Sequence, residues 1–238
     1  IPKTAEGLSN LFATRPIALM ETIAKIFETI IFDRVTKIMF DNSMLHQSQY
    51  GAVKKRGVDP PLSVLSQTLD DARDSGQELH LWAADLSKAF DTLEYWSQAM
   101  SWRALGMPPE TAMMLMRIDQ AASTEVSLSR TNSTAQTLGS EGWFNSDRGV
   151  RQGSVGGPIK WVVYMNFWLE YVHSELDGVG YKISSGNHTE VKAQMFVDDS
   201  IWFSSSKSGL EAMIRHGSQF THFHGLSFNK TKCQYWVL

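Results

Sequence analysis

Apolar residues recur at helical spacing between Glu21 and Phe40, at Ile23, Ile26, Phe27, Ile30, Ile31, Val35 and Ile38, which predicts a helix. Ahead of it, Pro2 and Pro16 break Ile1 to Ala18 into an irregular or extended stretch. Asp41 to Asp59 reads as a loop. Pro60 and Pro61 can open the next helix, and Gly76 can close it. Leu79 to Ala84 (LHLWAA) is short, apolar and bounded, which predicts a buried strand ending at Asp85. Further helices are predicted over Leu93–Leu105, Pro108–Ala122, Ser154–Leu176 and Ser208–His224, with Gly106 and Gly225 as stops. Thr124 to Asp147 carries strand-like patches such as Val126-Ser127-Leu128. Gln194–Val197 and Ile201–Phe203 are strand signals around a tight turn at Asp198-Asp199-Ser200, and Leu226 to Leu238 is extended again.

From Leu79 onward the order is strand, helices, hairpin, helix, strand. That is close to the split βαβ, or ferredoxin-like, arrangement. In such a sheet the first strand lies beside the central hairpin. Asp85 can then meet Asp198 and Asp199, although more than a hundred positions separate them.

Composition excludes little beyond disorder. The chain has 238 residues, 42% hydrophobic and 20% charged, as expected of a folded protein with a real core. A lone cysteine, Cys233, excludes an internal disulfide framework and fits a reducing compartment. The most apolar run, Trp161 to Leu169, is too short for a bilayer and is interrupted by Asn166, so no membrane partner is expected. A start at Ile1 reads as part of a longer protein. Net charge is -3, unevenly spread: residues 1–60 carry +2, residues 61–206 carry -8 and residues 207–238 carry +3. An acidic middle between basic ends suits a metal-binding centre with phosphate-facing flanks, though ordinary surface variation gives the same pattern.

Crowded carboxylates repel one another and resist ionisation. A divalent cation reverses this and takes hard oxygen ligands. Two such ions about 3.5–4 Å apart can activate an attacking hydroxyl and stabilise a leaving oxygen. An Asp-Asp pair by itself is more often a solvated turn. Here it keeps particular company.

Ile1-Pro2-Lys3 is followed by Arg15-Pro16-Ile17-Ala18-Leu19, then Gln49-Tyr50-Gly51 with Lys54-Lys55-Arg56-Gly57. Asp85-Leu86-Ser87-Lys88-Ala89-Phe90-Asp91 precedes Gly149-Val150-Arg151-Gln152-Gly153 with Pro158, then Phe196-Val197-Asp198-Asp199, then Gly225-Leu226 with Asn229 and Lys232. In this order the motifs resemble those of reverse transcriptases, most closely the non-LTR retrotransposon type, across nearly the whole chain. DxSKAFD and GxRQG are the most specific of them.

The resemblance implies an α+β fold. Helical fingers would occupy residues 1–78 and a palm with a ferredoxin-like antiparallel sheet residues 79–238, with the thumb absent. It also implies RNA-directed DNA synthesis with an RNA template, a DNA primer, deoxynucleoside triphosphates and two Mg2+ ions, Mn2+ being the alternative metal. The rest of a retrotransposon polyprotein, including a thumb and an endonuclease, would be its companion. By the same resemblance Asp85, Asp198, Asp199 and the Leu86 carbonyl hold metal. Phe90 blocks a 2′-hydroxyl; without the motif it would read as a core aromatic. Gln152 and Gly153 lie against the incoming nucleotide. Lys3 and Arg15 grip its triphosphate, since a guanidinium contacts phosphate oxygens bidentately. Lys232 protonates the leaving pyrophosphate, a strand-edge lysine being the other reading. Lys54, Lys55 and Arg56 track the template, or form a solvated basic loop. Val197, Gly156-Gly157 and Ala52 depart from the usual pattern without removing a catalytic group. An RNA-dependent RNA polymerase and an inactive nucleic-acid-binding relic are the competing readings.

Overall fold

The structure, a computed structural model, describes residues 18–53, 55–125, 127–130, 133–137, 143–184 and 189–238. The expectations for Lys3, Arg15, Lys54, Val126 and the chain start up to Ile17 lie outside the described residues.

Helix α1 spans Thr22–Asp41 and α2 spans Asp59–Ser75. Pro60 and Pro61 sit in the first turn of α2, where a missing N–H costs nothing, and left-handed Gly76 ends it. Strand β1 (His80–Ala84) leads into a short α3 (Ala89–Thr92), then α4 (Tyr95–Ala104) and α5 (Pro109–Gln120). Four short strands follow: β2 (Ser123–Glu125) pairs with β5 (Trp143–Asn145), and β3 (Ser127–Arg130) with β4 (Ser133–Thr137). Next come α6 (Gly157–Glu175) and a small ladder of β6 (Tyr181–Lys182) with β7 (Glu190–Val191). The chain ends with β8 (Ala193–Phe196), β9 (Asp199–Ser204), α7 (Lys207–Phe223) and β10 (Gln234–Val237). Helix α7 is capped by Ser206, whose hydroxyl accepts from the Gly209 amide at 3.1 Å. Helix α3, inside the DLSKAFD run, is too short to leave a periodic signal in the sequence.

The main sheet has the order β10-β1-β9-β8, antiparallel throughout, which is the split βαβ arrangement. Trp82 faces Trp202 and Ala84 faces Ser200 across β1 and β9, so Asp85 emerges next to the start of β9. One detail differs from the sequence reading. Phe196 pairs with Asp199, leaving Val197-Asp198 as the turn, and Asp199 is the first residue of β9 rather than part of the loop.

Helix α6 is buried on nearly all sides, as a helix apolar around its whole circumference must be. Trp161, Trp168 and Leu169 join the sheet-side core with Trp82, Trp202 and Met213 of α7. Trp168 stacks on Trp202 with 4.4 Å between centroids. Ile159, Val162 and Val163 join a second core with Phe32, Val35 and Met39 of α1 and Leu115 of α5. This shared core crosses the boundary expected between residues 78 and 79. In α1 the buried face is Glu28, Phe32, Val35 and Met39, whereas most of the apolar stripe seen in the sequence, including Ile23, Ile26, Phe27, Ile30 and Ile38, is exposed. Among the described residues no helix is long and apolar enough to cross a membrane.

Candidate active site

A cleft of about 970 Å³ brings together Asp85, Leu86, Phe90, Gln152, Gly153, Asp198, Asp199 and Lys232. One wall is the end of β1 with the β8–β9 hairpin. The other is α3 with the loop before α6.

The chain after α7 folds back to hold Asp85. The Asn229 amide donates to the Asp85 carbonyl at 2.8 Å, the Ser87 amide donates to the Ser227 carbonyl at 2.9 Å, and Leu86 bridges to Phe228. The amides of Lys232 and Cys233 both donate to the Asn229 carbonyl, closing a turn. That turn sets Lys232 Nζ 3.3 Å from Asp85 Oδ2. The lysine is 63% exposed, so the pair adds little to stability and is free to act on something else. Asp85 Oδ2 is shielded from water and accepts no hydrogen bond among the described residues.

At the hairpin, Val197 adopts φ 62°, a left-handed conformation that costs an L-residue about 1–2 kcal/mol. The surrounding structure holds it there. Trp161 Nε1 donates to the Val197 carbonyl at 3.0 Å, and the Val197 amide donates to Gln49 Oε1 at 3.1 Å. The turn sets the next residue, Asp198, half-buried beside Asp199 and Asp85. Burial pushes the Asp198 carboxyl up, with the charges of Asp199 and Asp85 adding to it; a hydrogen bond from its own backbone and the Lys232 ammonium pull the other way.

Both features suit a hard cation. A carboxylate oxygen whose cationic neighbour is an exposed lysine that makes it no hydrogen bond, and a carboxyl resisting ionisation, are each relieved by added positive charge. Among the described residues no three His, Cys, Asp or Glu side chains converge closely enough to enclose a metal by themselves. The donor set is therefore an open one, of the kind magnesium accepts when substrate phosphates and water complete its shell.

On the opposite wall, Lys88 is left-handed and turns the chain into α3. The Phe90 ring lies 5.6 Å from that of Trp161, so one face packs on the core while the residue also lines the cleft. The loop before α6 is zipped to α3: Val150 N donates to the Phe90 carbonyl at 2.6 Å and Gly149 N to the Leu93 carbonyl at 2.8 Å. Gln152 Nε2 reaches Asp91 Oδ1 at 3.3 Å. Gly153 has φ +120°, and a Cβ there would stand 2.5 Å from the Ala18 carbonyl oxygen, so only glycine fits. The Ala18 amide in turn donates to the Gln152 carbonyl at 2.7 Å.

Arg151 turns inward, away from its neighbours Gln152 and Gly153. It sits 3.7 Å from both Glu28 and Asp119, and Asp119 also pairs with buried Lys160 at 2.5 Å. Glu28 accepts from Ser154 Oγ at 2.8 Å and from the Val155 amide at 3.0 Å. Two acids and two bases thus anchor the loop to α1, α5 and α6. Arg56 donates to the carbonyls of His46 at 2.7 Å and Gln49 at 2.6 Å, bracing its own loop. Lys55 is exposed, its ammonium over the Phe40 ring. Neither lines the cleft. Gln49 and Arg151 stood in the motifs without a role. A buried polar residue in a loop leaves no periodic signal, and its partners lie far along the chain.

The model of the reverse transcriptase (RNA-dependent DNA polymerase) family matches residues 1–237. The chain is 23% identical over 233 residues to the Retrovirus-related Pol polyprotein from type-1 retrotransposable element R2 of Nasonia vitripennis, covering 98% of this chain and 21% of that protein. It is 24% identical over 225 residues to the polyprotein of the type-2 element R2DM of Drosophila melanogaster, covering 92% and 19%. It thus spans about a fifth of these curated relatives. Among solved structures it resembles apo telomerase from Candida tropicalis truncated from its C-terminal domain, with TM-score 0.62, 14% identity, 89% of this chain and 40% of that one. The same organism's telomerase in complex with a fragment of telomeric RNA gives TM-score 0.60 at 12% identity, over 91% of this chain and 34% of that one. These structural likenesses show a shared fold.

Proposed function

The chain belongs to the reverse transcriptase (RNA-dependent DNA polymerase) family, and on that premise we propose that it performs template-directed DNA synthesis on RNA, as one part of a retrotransposon polyprotein. The observation that carries this reading is the joining of Asp85, Asp198 and Lys232 on one wall of a cleft whose other wall holds Phe90, Gln152 and Gly153. Residues 79–238 serve as the palm and the helical residues before them as the fingers.

Asp85, Asp198, Asp199 and the Leu86 carbonyl would hold two divalent cations, Mg2+ or Mn2+. When bound, such ions supply activation of the primer 3′-hydroxyl and charge neutralisation at the leaving oxygen. The protein's own share is positioning. Gly153, whose bare Cα admits the Ala18 carbonyl, and Gln152 line the surface that the incoming nucleotide would meet. The Phe90 ring, backed by Trp161, would exclude a ribose 2′-hydroxyl from the nucleotide site. Lys232 carries a proton beside Asp85, where the leaving pyrophosphate can take it. Lys3 and Arg15 grip the triphosphate, and Lys54 and Lys55 contact the template backbone. A telomerase that shares this fold is solved with a fragment of telomeric RNA, which agrees with an RNA partner for this chain.

Primer extension on one RNA template tests the proposal. The full polypeptide is expected to incorporate deoxynucleotides in preference to ribonucleotides. Asp85→Asn is expected to lower the rate by at least about 10³-fold with RNA binding retained. Preference for ribonucleotides would point to RNA synthesis instead. RNA binding without extension in either protein would mark a binding relic.

A further inference from the structure

Gln49 lies in the loop between α1 and α2, yet its side chain is completely buried, 0% exposed. Its amide reaches across 148 positions to the acidic hairpin. Oε1 accepts from the Val197 amide at 3.1 Å and from the Gly51 amide at 3.1 Å, while Nε2 faces the Val197 carbonyl at 3.5 Å. The side chain thus mimics a neighbouring strand's peptide and grips both polar groups of one residue. The backbone beside it completes the splice: the Met195 amide donates to the Ser48 carbonyl and the Tyr50 amide to the Met195 carbonyl, each at 2.9 Å, extending the edge of β8. Gly51 has to be glycine, because a Cβ would stand 2.4 Å from the Val197 nitrogen.

The residue so gripped is the strained one. Val197 is β-branched with φ 62°, a conformation valine adopts only when its surroundings over-determine it. It lies directly before Asp198. Without the grip, the turn would relax toward an unstrained backbone and carry both aspartates with it. We propose that Gln49 is a positioning residue for the polymerisation site: its side-chain amide locks the Val197 peptide in the turn that aims Asp198 and Asp199 into the cleft. The proposal rests on the polymerase reading above. The lock also ties the fingers loop to the palm acids, so the two parts of the site move as one.

The test compares wild type with Gln49→Leu, Gln49→Glu and Gln49→Asn in the full polypeptide. Hydrogen exchange at the Val197 amide reads the lock without reference to activity. Gln49→Leu, which removes the accepting oxygen, is expected to speed that exchange about ten-fold or more. It is also expected to lower kcat by about 10- to 100-fold while KM for the deoxynucleotide stays within about threefold. Mn2+ binding to the nucleotide-free protein, followed by electron paramagnetic resonance, is expected to weaken in parallel. Gln49→Glu keeps an acceptor for the Val197 amide but loses the donor to the Val197 carbonyl and buries a carboxyl, so its exchange and kcat are expected to fall between those of wild type and Gln49→Leu. Gln49→Asn, the milder change should the leucine variant fail to fold, is expected to show the same pattern at smaller amplitude. Unchanged exchange at Val197, a loss in KM alone, or an unchanged kcat with the Val197 amide deprotected would overturn the lock. If Asp85→Asn is inactive while the Gln49 variants match wild type, only the lock fails. If Asp85→Asn remains fully active, the polymerase reading fails instead, and the exchange rates decide the lock on their own.

Discussion

His173 and His46 lie ring against ring, 4.2 Å between centroids, next to the strand that leads into the acidic hairpin. His173 Nε2 shares a hydrogen bond with the Ala193 carbonyl at 3.3 Å. Burial holds its pKa down to about 4 from an ordinary 6.5, with His46 and Lys192 lowering it further against the Ala193 bond and Glu170. Between about pH 6.5 and 4 the unfolded chain takes up a proton that the folded chain refuses. Stability is therefore complete above pH 6.5 and is lost as pH falls through that window. Urea midpoints measured from pH 7 to pH 4 should fall accordingly, and His173→Gln should flatten the profile. A variant profile parallel to wild type would remove His173 as the cause. None of this was legible beforehand, because a histidine in a helical run looks the same whether or not another ring covers it.

At the scale of elements, α6 organises the molecule. Its extent is legible nearly in full from the sequence, since an apolar stretch of helical length between breakers has one economical solution. Its charges were less legible. Lys160 lies inside this helix, 0% exposed at its side chain, paired with Asp119 of α5. Burial pushes the Asp119 carboxyl up, and Lys160 with Arg151 hold it down. Lys160→Met should cost about 3–5 kcal/mol, because it leaves a buried carboxylate short of a partner. Adding Asp119→Leu should recover much of that loss, since Glu28 still faces Arg151. Denaturant unfolding of both variants measures the difference, and equal losses would show that the pair is not coupled. Helix α1 teaches the converse. Its isoleucine stripe is plain in the sequence, yet the face turned inward carries Glu28 beside Phe32, Val35 and Met39, with Glu28 set against the half-buried Arg151. Periodicity locates a helix; it does not choose the face that neighbours will cover.

For the whole molecule, the order β10-β1-β9-β8 puts the two acid-bearing strands side by side in the middle. Strand β10 is an edge strand with all four residues exposed. Amides of β1 and β9 should therefore exchange at rates near the global unfolding limit, and those of β10 faster, in native-state hydrogen exchange. Equal protection across all four strands would mean that the sheet opens only as a unit. The sequence by itself determined the type and order of the longer elements and the acids themselves, though not α3 or the β6–β7 ladder: DxSKAFD ends a short apolar run, FVDD joins two others, and such patterns depend on chain neighbours alone. It also determined that β1 must lie beside the hairpin, because the split βαβ order leaves few other ways to build the sheet. Only the tertiary structure decided that the turn is Val197-Asp198, that Arg151 points into a charge cluster, and that Gln49 reaches Val197. These contacts join residues up to 148 positions apart, and a hydrogen bond between two polar groups distant in the chain has no periodicity to betray it.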